Sequence, residues 1–384
     1  MTRFLILGNP ENRRITGFCA ALREHGQPEP IVLSHRALLH EPAALLEIAD
    51  QPLLVRIDAT GEDPEVEALL LERGFADAAG SGCSTIDPLA LRERGGVRFG
   101  EILAPRQHQL GYRRYLDQLA AVFEQRPSWR VLQSPTSIAE LFDKRRTSRR
   151  YAELGIPVPE FLDGVDSAEQ LRAQMFARRW PAVFVKLACG SSASCVALYQ
   201  YRPDQPERER LLTTVHVRPE GRFNSLRLQQ LQARPAIDEL IEFLLAEGSQ
   251  VERSISKARI GSRVFDLRIL VIAGEPAFVV PRASHHPITN LHLGGIRADL
   301  REVRDRVSTD AWRRAMTSAR EVFAAHECLH VGVDLLFESD MHGHRVIEAN
   351  AFGDLLPGLE RAGRSVYAWE IAAALGEALP ELAD

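Results

Sequence analysis

The chain has 384 residues, 45% hydrophobic and 26% charged, the composition of an ordinary globular protein built from two or three subdomains. A formal net charge of −5 argues against a general polyanion binder, so no nucleic-acid partner is expected. No apolar run suits a signal peptide or a membrane span, and Cys19, Cys83, Cys189, Cys195 and Cys328 contain no CxxC pair; no membrane partner, zinc site or disulfide framework is expected, and a reducing cytoplasm is the natural compartment.

Residues 1–133 read as an α/β domain. RFLILG, PIVLS and PLLVRID are short apolar strands. The segments from Asn12 to Glu24 and from Pro64 to Arg73 carry apolar residues at helical period. Strand–helix–strand order predicts a parallel sheet. The first turn, GNPENRR, lacks the GxGxxG spacing of a dinucleotide site. Arg13, Arg14 and Arg56 either sit at strand ends to receive an acidic ligand or are solvated surface arginines. Residues 100–128 predict an amphipathic helical bridge to the next domain.

In residues 134–250, one helix starting at Ser137 is expected to carry Phe142, Asp143 and Lys144. Arg145, Arg146, Arg149 and Arg150 read as a solvated helix face. After a helix over 168–179 comes PAVFVKLA, a strand with one cation, Lys186. A lysine among Val, Phe, Leu and Ala is costly unless its ammonium meets an anion. CGSSAS follows at once. Such a Gly/Ser loop is either an ordinary hairpin turn or a set of backbone N–H donors for phosphate, and the adjacent lysine favours phosphate. TTVHVRP and the run from Phe223 to Leu231 read as strands, and Ala236 to Ala246 as a helix.

Residues 251–384 begin within SQVERSI, a short strand bearing Glu252. RVFDLRILVIAGEPAFVVPR predicts an antiparallel pair about a Gly274-Glu275 turn. Asp266 and Arg268 fall on one face and Arg282 closes the second strand. His285 and His286, in the polar loop beyond, read as surface residues. A helix from Asp310 to His326 leads into VGVDLLFESDMHGHRVIEAN, two strands and a turn. Glu348 and Asn350 share a face, their backbones roughly 6.6 Å apart, and a hairpin brings Asp334 to that face. Uncompensated buried carboxylates cost several kcal/mol each, so these must be protonated, paired or metal-bound. Two carboxylates and an amide oxygen form a hard donor set for Mg²⁺ or Mn²⁺, completed by nucleotide phosphates. Shared on one Mg²⁺, their oxygens lie within about 4.2 Å of each other. The other reading leaves the acids at strand ends in water. His342 and His344 are expected in a solvated turn, Trp312 and Trp369 in the core, and a capping helix from Ser365 to Leu379.

In this order, FDK, FVKLACGSSAS, VERSI, FDLR, PR with TNLHLGG, VGVDLLFE and VIEAN resemble the ATP-grasp superfamily over residues 134–360. The glutathione-synthetase-like and peptide-forming glutamate ligases are the most similar branch. The whole chain also resembles a poorly characterised bacterial ATP-grasp group, through the GNPENRR start and the SSAS loop. The resemblance implies an N-terminal parallel-sheet pre-ATP-grasp domain over 1–133. An ATP-grasp fold of two α+β subdomains follows, a lid with its linker helix over 134–250 and a metal-binding catalytic part over 251–384. It further implies that Lys144 and Lys186 contact ATP phosphates and that the loop from Gly190 through Ser191 and Ser192 to Ser194 folds over them. Glu252 to Ile255 would form the adenine hinge, Asp266 would belong to the nucleotide site, and Arg268 and Arg282 would lie over the transferred phosphoryl group. Asp334, Glu348 and Asn350 would hold Mg²⁺. Two features depart from the pattern. Ser194-Cys195 stands where many relatives carry a glycine, and AFGDLLPG replaces a short SPG turn.

The expected activity is therefore ATP-dependent joining of a carboxylate to an amine through an acyl phosphate, on small-molecule or peptide substrates. Homo-oligomers are common in the family. A kinase on the same scaffold and a nucleotide-binding regulator are the alternatives. Neither a GxSxG motif nor a Cys/His pair points to nucleophilic catalysis.

Overall fold

The computed structural model describes residues 3–61, 63–190, 194–205, 208–353, 356 and 358–380. The chain opens with β1 (Arg3–Leu7), α1 (Arg13–Glu24), β2 (Ile31–Leu33), α2 (His35–His40), β3 (Leu53–Ile57), α3 (Pro64–Ala78), α4 (Pro88–Glu93), α5 (Pro105–Glu124) and β4 (Trp129–Val131). The four strands form one parallel sheet in the order β2-β1-β3-β4, as the alternation of strand and helix requires. Asn12 caps α1 by accepting the Arg14 N–H at 2.8 Å, and Asp63 caps α3 ahead of Pro64. Two glycines let α3 and α5 cross closely. A Cβ on Gly74 would overlap the Gln107 carbonyl oxygen, and one on Gly111 would overlap that of Leu70.

The single helix expected across Lys144 is two, α6 (Pro135–Leu141) and α7 (Lys144–Glu153). The Asp143 carboxylate accepts the Arg145 N–H and starts a new helix, which makes Lys144 its first residue. The second sheet comprises β5 (Phe161–Leu162), β6 (Ala182–Leu187), β7 (Val196–Gln200), β8 (Arg210–Arg218), β9 (Gly221–Leu231) and β10 (Ser249–Arg253), ordered β5-β10-β6-β7-β8-β9 with antiparallel pairs. Helices α8 (Ala168–Ala177) and α9 (Arg234–Ala246) cover one face of it through Leu171, Met175, Leu240 and Leu244, packed with Val183 and Val185. Period two then turns Phe184 and Lys186 to the other face.

That face meets the third sheet, built from β11 (Arg259–Ile260), β12 (Arg263–Ile272), β13 (Glu275–Ser284), β14 (Ile296–Arg297), β15 (His330–Phe337) and β16 (His344–Asn350). Its order is β14-β13-β12-β15-β16, with β11 beside β12. Ile272 pairs with Glu275, so the β12–β13 turn is Ala273-Gly274 and not Gly274-Glu275. Both turn residues take positive φ, 50° and 90°, as a tight hairpin turn demands. Helices α10 (Leu300–Arg304) and α11 (Thr309–Ala324) precede β15, and the short pair β17 (Glu360–Arg361) and β18 (Arg364–Ser365) leads to α12 (Val366–Leu375). Helix α12 returns to the first sheet, where Ile371 and Ala374 pack with Phe4, Phe18 and Leu54. Trp369 is fully buried, and Trp312 stacks on Phe337.

Two expectations are corrected. His344 is the first residue of β16 and is buried, because its ring packs inward edge-on to Phe337 with Nε2 2.9 Å from Ser318 Oγ. Arg56 is neither a surface arginine nor an open anion receptor. It is 1% exposed, lies over the Phe18 ring and is neutralised by Asp58 at 3.1 Å and Glu370 at 2.6 Å. Among the described residues no helix is long and apolar enough to cross a membrane.

Candidate active site

The second and third sheets face each other across a cleft. Lys144, Lys186, Gly190, Ser194, Glu252, Ile255, Asp266, Arg268, Arg282, Asp334, Glu348 and Asn350 all line it. Ser191 and Ser192 lie outside the described residues. Strand register accounts for the gathering. Asp334 pairs directly with Glu348, and Gly332 with Asn350, so both acids and the amide emerge on one face of the β15–β16 ladder. Arg268 stands opposite Asp334 on the neighbouring strand, and Arg282 opposite Asp266.

Each cation in the cleft meets an acid. The Arg268 guanidinium donates to both oxygens of Asp334, one at 3.0 Å. Arg282 donates through Nε to Asp266 at 2.8 Å and approaches Asp334 at 3.2 Å. Lys186 pairs with Glu252, and Lys144 lies 3.2 Å from Glu348 while donating to the Gly190 carbonyl. Burial opposes the charge on Asp334, yet Arg268 and Arg282 outweigh it and hold the carboxyl below its usual range. Burial also opposes the charge on Arg282, and the two acids more than restore it. The awkward Lys186 is thus explained by a partner on the neighbouring strand β10 rather than by solvent.

The loop after β6 is anchored at both ends. Lys144 N–H donates to the Ala188 carbonyl at 3.0 Å. At the far end Cys195 takes a left-handed φ of 54°, the conformation glycine adopts most readily. Cys195 N–H donates to Asn224 Oδ1 at 3.1 Å, and Asn224 Nδ2 donates to Ser194 Oγ at 2.6 Å. Burial pushes the Cys189 and Cys195 thiols up to about 11 and about 12, so both are protonated at neutral pH. Phe184, Val196, Ile255, Ile288 and Leu336 supply an apolar wall to the cleft.

Asp334, Glu348 and Asn350 suit a hard cation. All three present oxygen, and the Asn350 amide N–H₂ donates to the Gly332 carbonyl at 3.4 Å, which leaves its oxygen for another partner. Among the described residues no three His, Cys, Asp or Glu side chains gather as a metal cluster, so the candidate donor set is two carboxylates and an amide. Lys257 and Thr289 also line the cleft. The sequence carries little sign of them. Lys257 stands in a polar loop with no periodic pattern, and only its place just past the candidate adenine hinge marks it out.

No family model matches the chain, and no curated protein matches it in sequence. Solved structures do match over nearly the whole length. The ATP-grasp ligase PsnB in complex with a minimal precursor is similar at 15% identity and a TM-score of 0.54, covering 98% of this chain and 99% of that one. The macrocyclase MdnC bound with precursor peptide MdnA from Microcystis aeruginosa MRC is similar at 11% identity and a TM-score of 0.53, covering 98% and 99%. The D-cycloserine synthetase DcsG is similar at 16% identity and a TM-score of 0.54, covering 97% and 98%. The protein therefore has the ATP-grasp fold, with an N-terminal parallel sheet followed by two antiparallel sheets that enclose the cleft.

Proposed function

We propose that the protein is an ATP-dependent ligase that joins a carboxylate to an amine through an acyl phosphate. The observation that carries this reading is the convergence of Lys144, Lys186, Arg268 and Arg282 with Asp334, Glu348 and Asn350 in one cleft between two sheets. The fold is that of the ATP-grasp ligases named above, and two of those structures hold precursor peptides, which favours a peptide substrate.

In this reading ATP lies between the sheets, its base against the Glu252–Ile255 segment and its phosphates toward Lys144, Lys186 and the Gly190–Ser194 loop. The substrate carboxylate takes the γ-phosphoryl group and ADP leaves. The amine then attacks the acyl carbon, phosphate departs and the amine loses a proton. Mg²⁺ (or Mn²⁺) held by Asp334, Glu348 and Asn350 would supply charge neutralisation at the phosphates. Arg268 and Arg282, released from Asp334, neutralise the charge spreading over the transferring group. Asp266 keeps Arg282 in place. Arg14 of α1 and the segment from Ala351 to Gly353 would bound the acceptor end, since Arg14 donates to the Phe352 carbonyl at 2.8 Å. Keeping water from the acyl phosphate would preserve it for the amine.

The test is ADP release with Mg²⁺ in a screen of amino acids and peptides, with Lys186→Met as the blank. The expected outcome is release that requires both a carboxylate and an amine and falls at least ~100-fold in the variant. Release that needs only a hydroxyl compound and yields a phosphoester would replace the ligase with a kinase.

A further inference from the structure

Lys257 lies between β10 and β11. Its backbone forms a bridge with Glu338, and the next N–H, of Ala258, donates to the Phe337 carbonyl at 2.9 Å. The loop is thus fixed to the end of β15. The Lys257 side chain is 8% exposed, and its Nζ donates to Thr289 Oγ1 at 2.6 Å and to Asp266 Oδ2 at 3.3 Å. Thr289 Oγ1 in turn donates to the same Oδ2. The other oxygen of Asp266 accepts from Arg282 Nε. One carboxylate is therefore shared out: Oδ1 holds the arginine, and Oδ2 is held by a lysine and a threonine.

A buried ammonium is an expensive way to hold a carboxylate that already has an arginine and a hydroxyl. Burial disfavours its charge, Asp266 supports it, and Arg282 and Lys186 oppose it again. The charge makes sense if it governs Arg282. With Lys257 absent, the full charge of Asp266 falls on Arg282, which is drawn toward it and further neutralised. With Lys257 present, Arg282 keeps positive charge for whatever lies across the cleft.

We propose that Lys257 is a positioning residue for phosphoryl transfer, acting through Thr289 and Asp266 to aim the Arg282 guanidinium and preserve its charge for the transferring group. The proposal rests on the ligase reading above, in which Arg282 meets that group. A lysine placed for stability alone would affect every ligand alike. A positioning lysine affects only ligands that reach Arg282.

Calorimetry separates the two, using Mg²⁺-ADP alone and Mg²⁺-ADP with aluminium fluoride, a mimic of the phosphoryl group in flight. Lys257→Met is expected to bind ADP within about twofold of the parent and the aluminium fluoride complex at least about tenfold more weakly. Thr289→Val, which keeps every charge, shows the same selectivity at smaller size. The double variant Lys257→Met/Arg282→Met binds the mimic no more weakly than Arg282→Met alone, because the two residues act in one chain. Equal weakening of both ligands, no weakening of either, or additive losses in the double variant would overturn the proposal. Should Lys257→Met not fold, the Thr289→Val result decides: loss of selectivity there also overturns it. A parent that binds no ADP refutes the ligase reading itself, which is a distinct outcome.

Discussion

His35 shows how single residues set the conditions under which this protein is stable. It is fully buried, with Nδ1 2.9 Å from the Tyr115 hydroxyl and Nε2 2.9 Å from the Asp58 carbonyl. A neutral ring satisfies both, donating from Nε2 and accepting at Nδ1. Burial lowers its pKa to about 4, against about 6.5 in the unfolded chain. The folded value is depressed, so the stabilisation is complete above about pH 6.5 and is lost as pH falls toward 4. His35 alone accounts for about 3 kcal/mol across that window. Urea titrations from pH 7 to 4 should show this decline, and His35→Gln should remove its share and make it shallower, leaving the comparable contributions of His326 and His344, whose values also fall to about 4. At the site, the single-residue signals in the sequence were of two kinds. A cation or acid stranded in an apolar strand was visible, as with Lys186 and Asp334. Its partner was not, because Glu252 and Arg268 stand 66 positions away in each case and only sheet register brings them together.

Among the elements, the crossing of α3 and α5 is the tightest. Gly74 and Gly111 have no side chain because the opposing backbone occupies that space. Gly111→Ala should push the helices apart and cost at least about 2 kcal/mol, more than the gain in helix propensity returns. The check is a lower midpoint in thermal and urea unfolding, with nucleotide affinity retained if the second and third sheets are undisturbed. Element type and order were legible for the longer segments because strand and helix periods differ sharply: RFLIL, AVFVKL and RVFDLRILVI read as strands and form them, whereas the short helices α2, α4 and α10 span too few turns to show a period. Boundaries were less so. The break before Lys144 depends on the Asp143 side chain choosing a backbone N–H, and the Ala273-Gly274 turn on a register shifted by one residue. Both are local choices that composition does not reveal.

At the scale of the whole molecule, the second sheet and its helix α9 are fastened to the 84–106 segment through Glu247 and through β9. Glu247, 1% exposed at the end of α9, accepts the Ser84 N–H at 2.7 Å and hydroxyl, and the Arg106 N–H at 3.0 Å. Farther along, Ile102 N–H donates to the Arg222 carbonyl at 2.8 Å, and Asn224 N–H to that of Gly100 at 2.7 Å. Glu247→Ala removes three hydrogen bonds and deprives two backbone amides of their acceptor, so limited proteolysis should cleave the 79–104 region faster than in the parent. Survival of that region at the parental rate would show that the second fastening suffices. The segment 100–102 has a consequence for motion. It extends the outer rim of the sheet like a stitched hem, so an outward swing of that sheet must carry this segment along or break those bonds. A spectroscopic label on the half-exposed Cys83, beside the Ser84 tether, should therefore report movement of the surface proposed to grip the nucleotide.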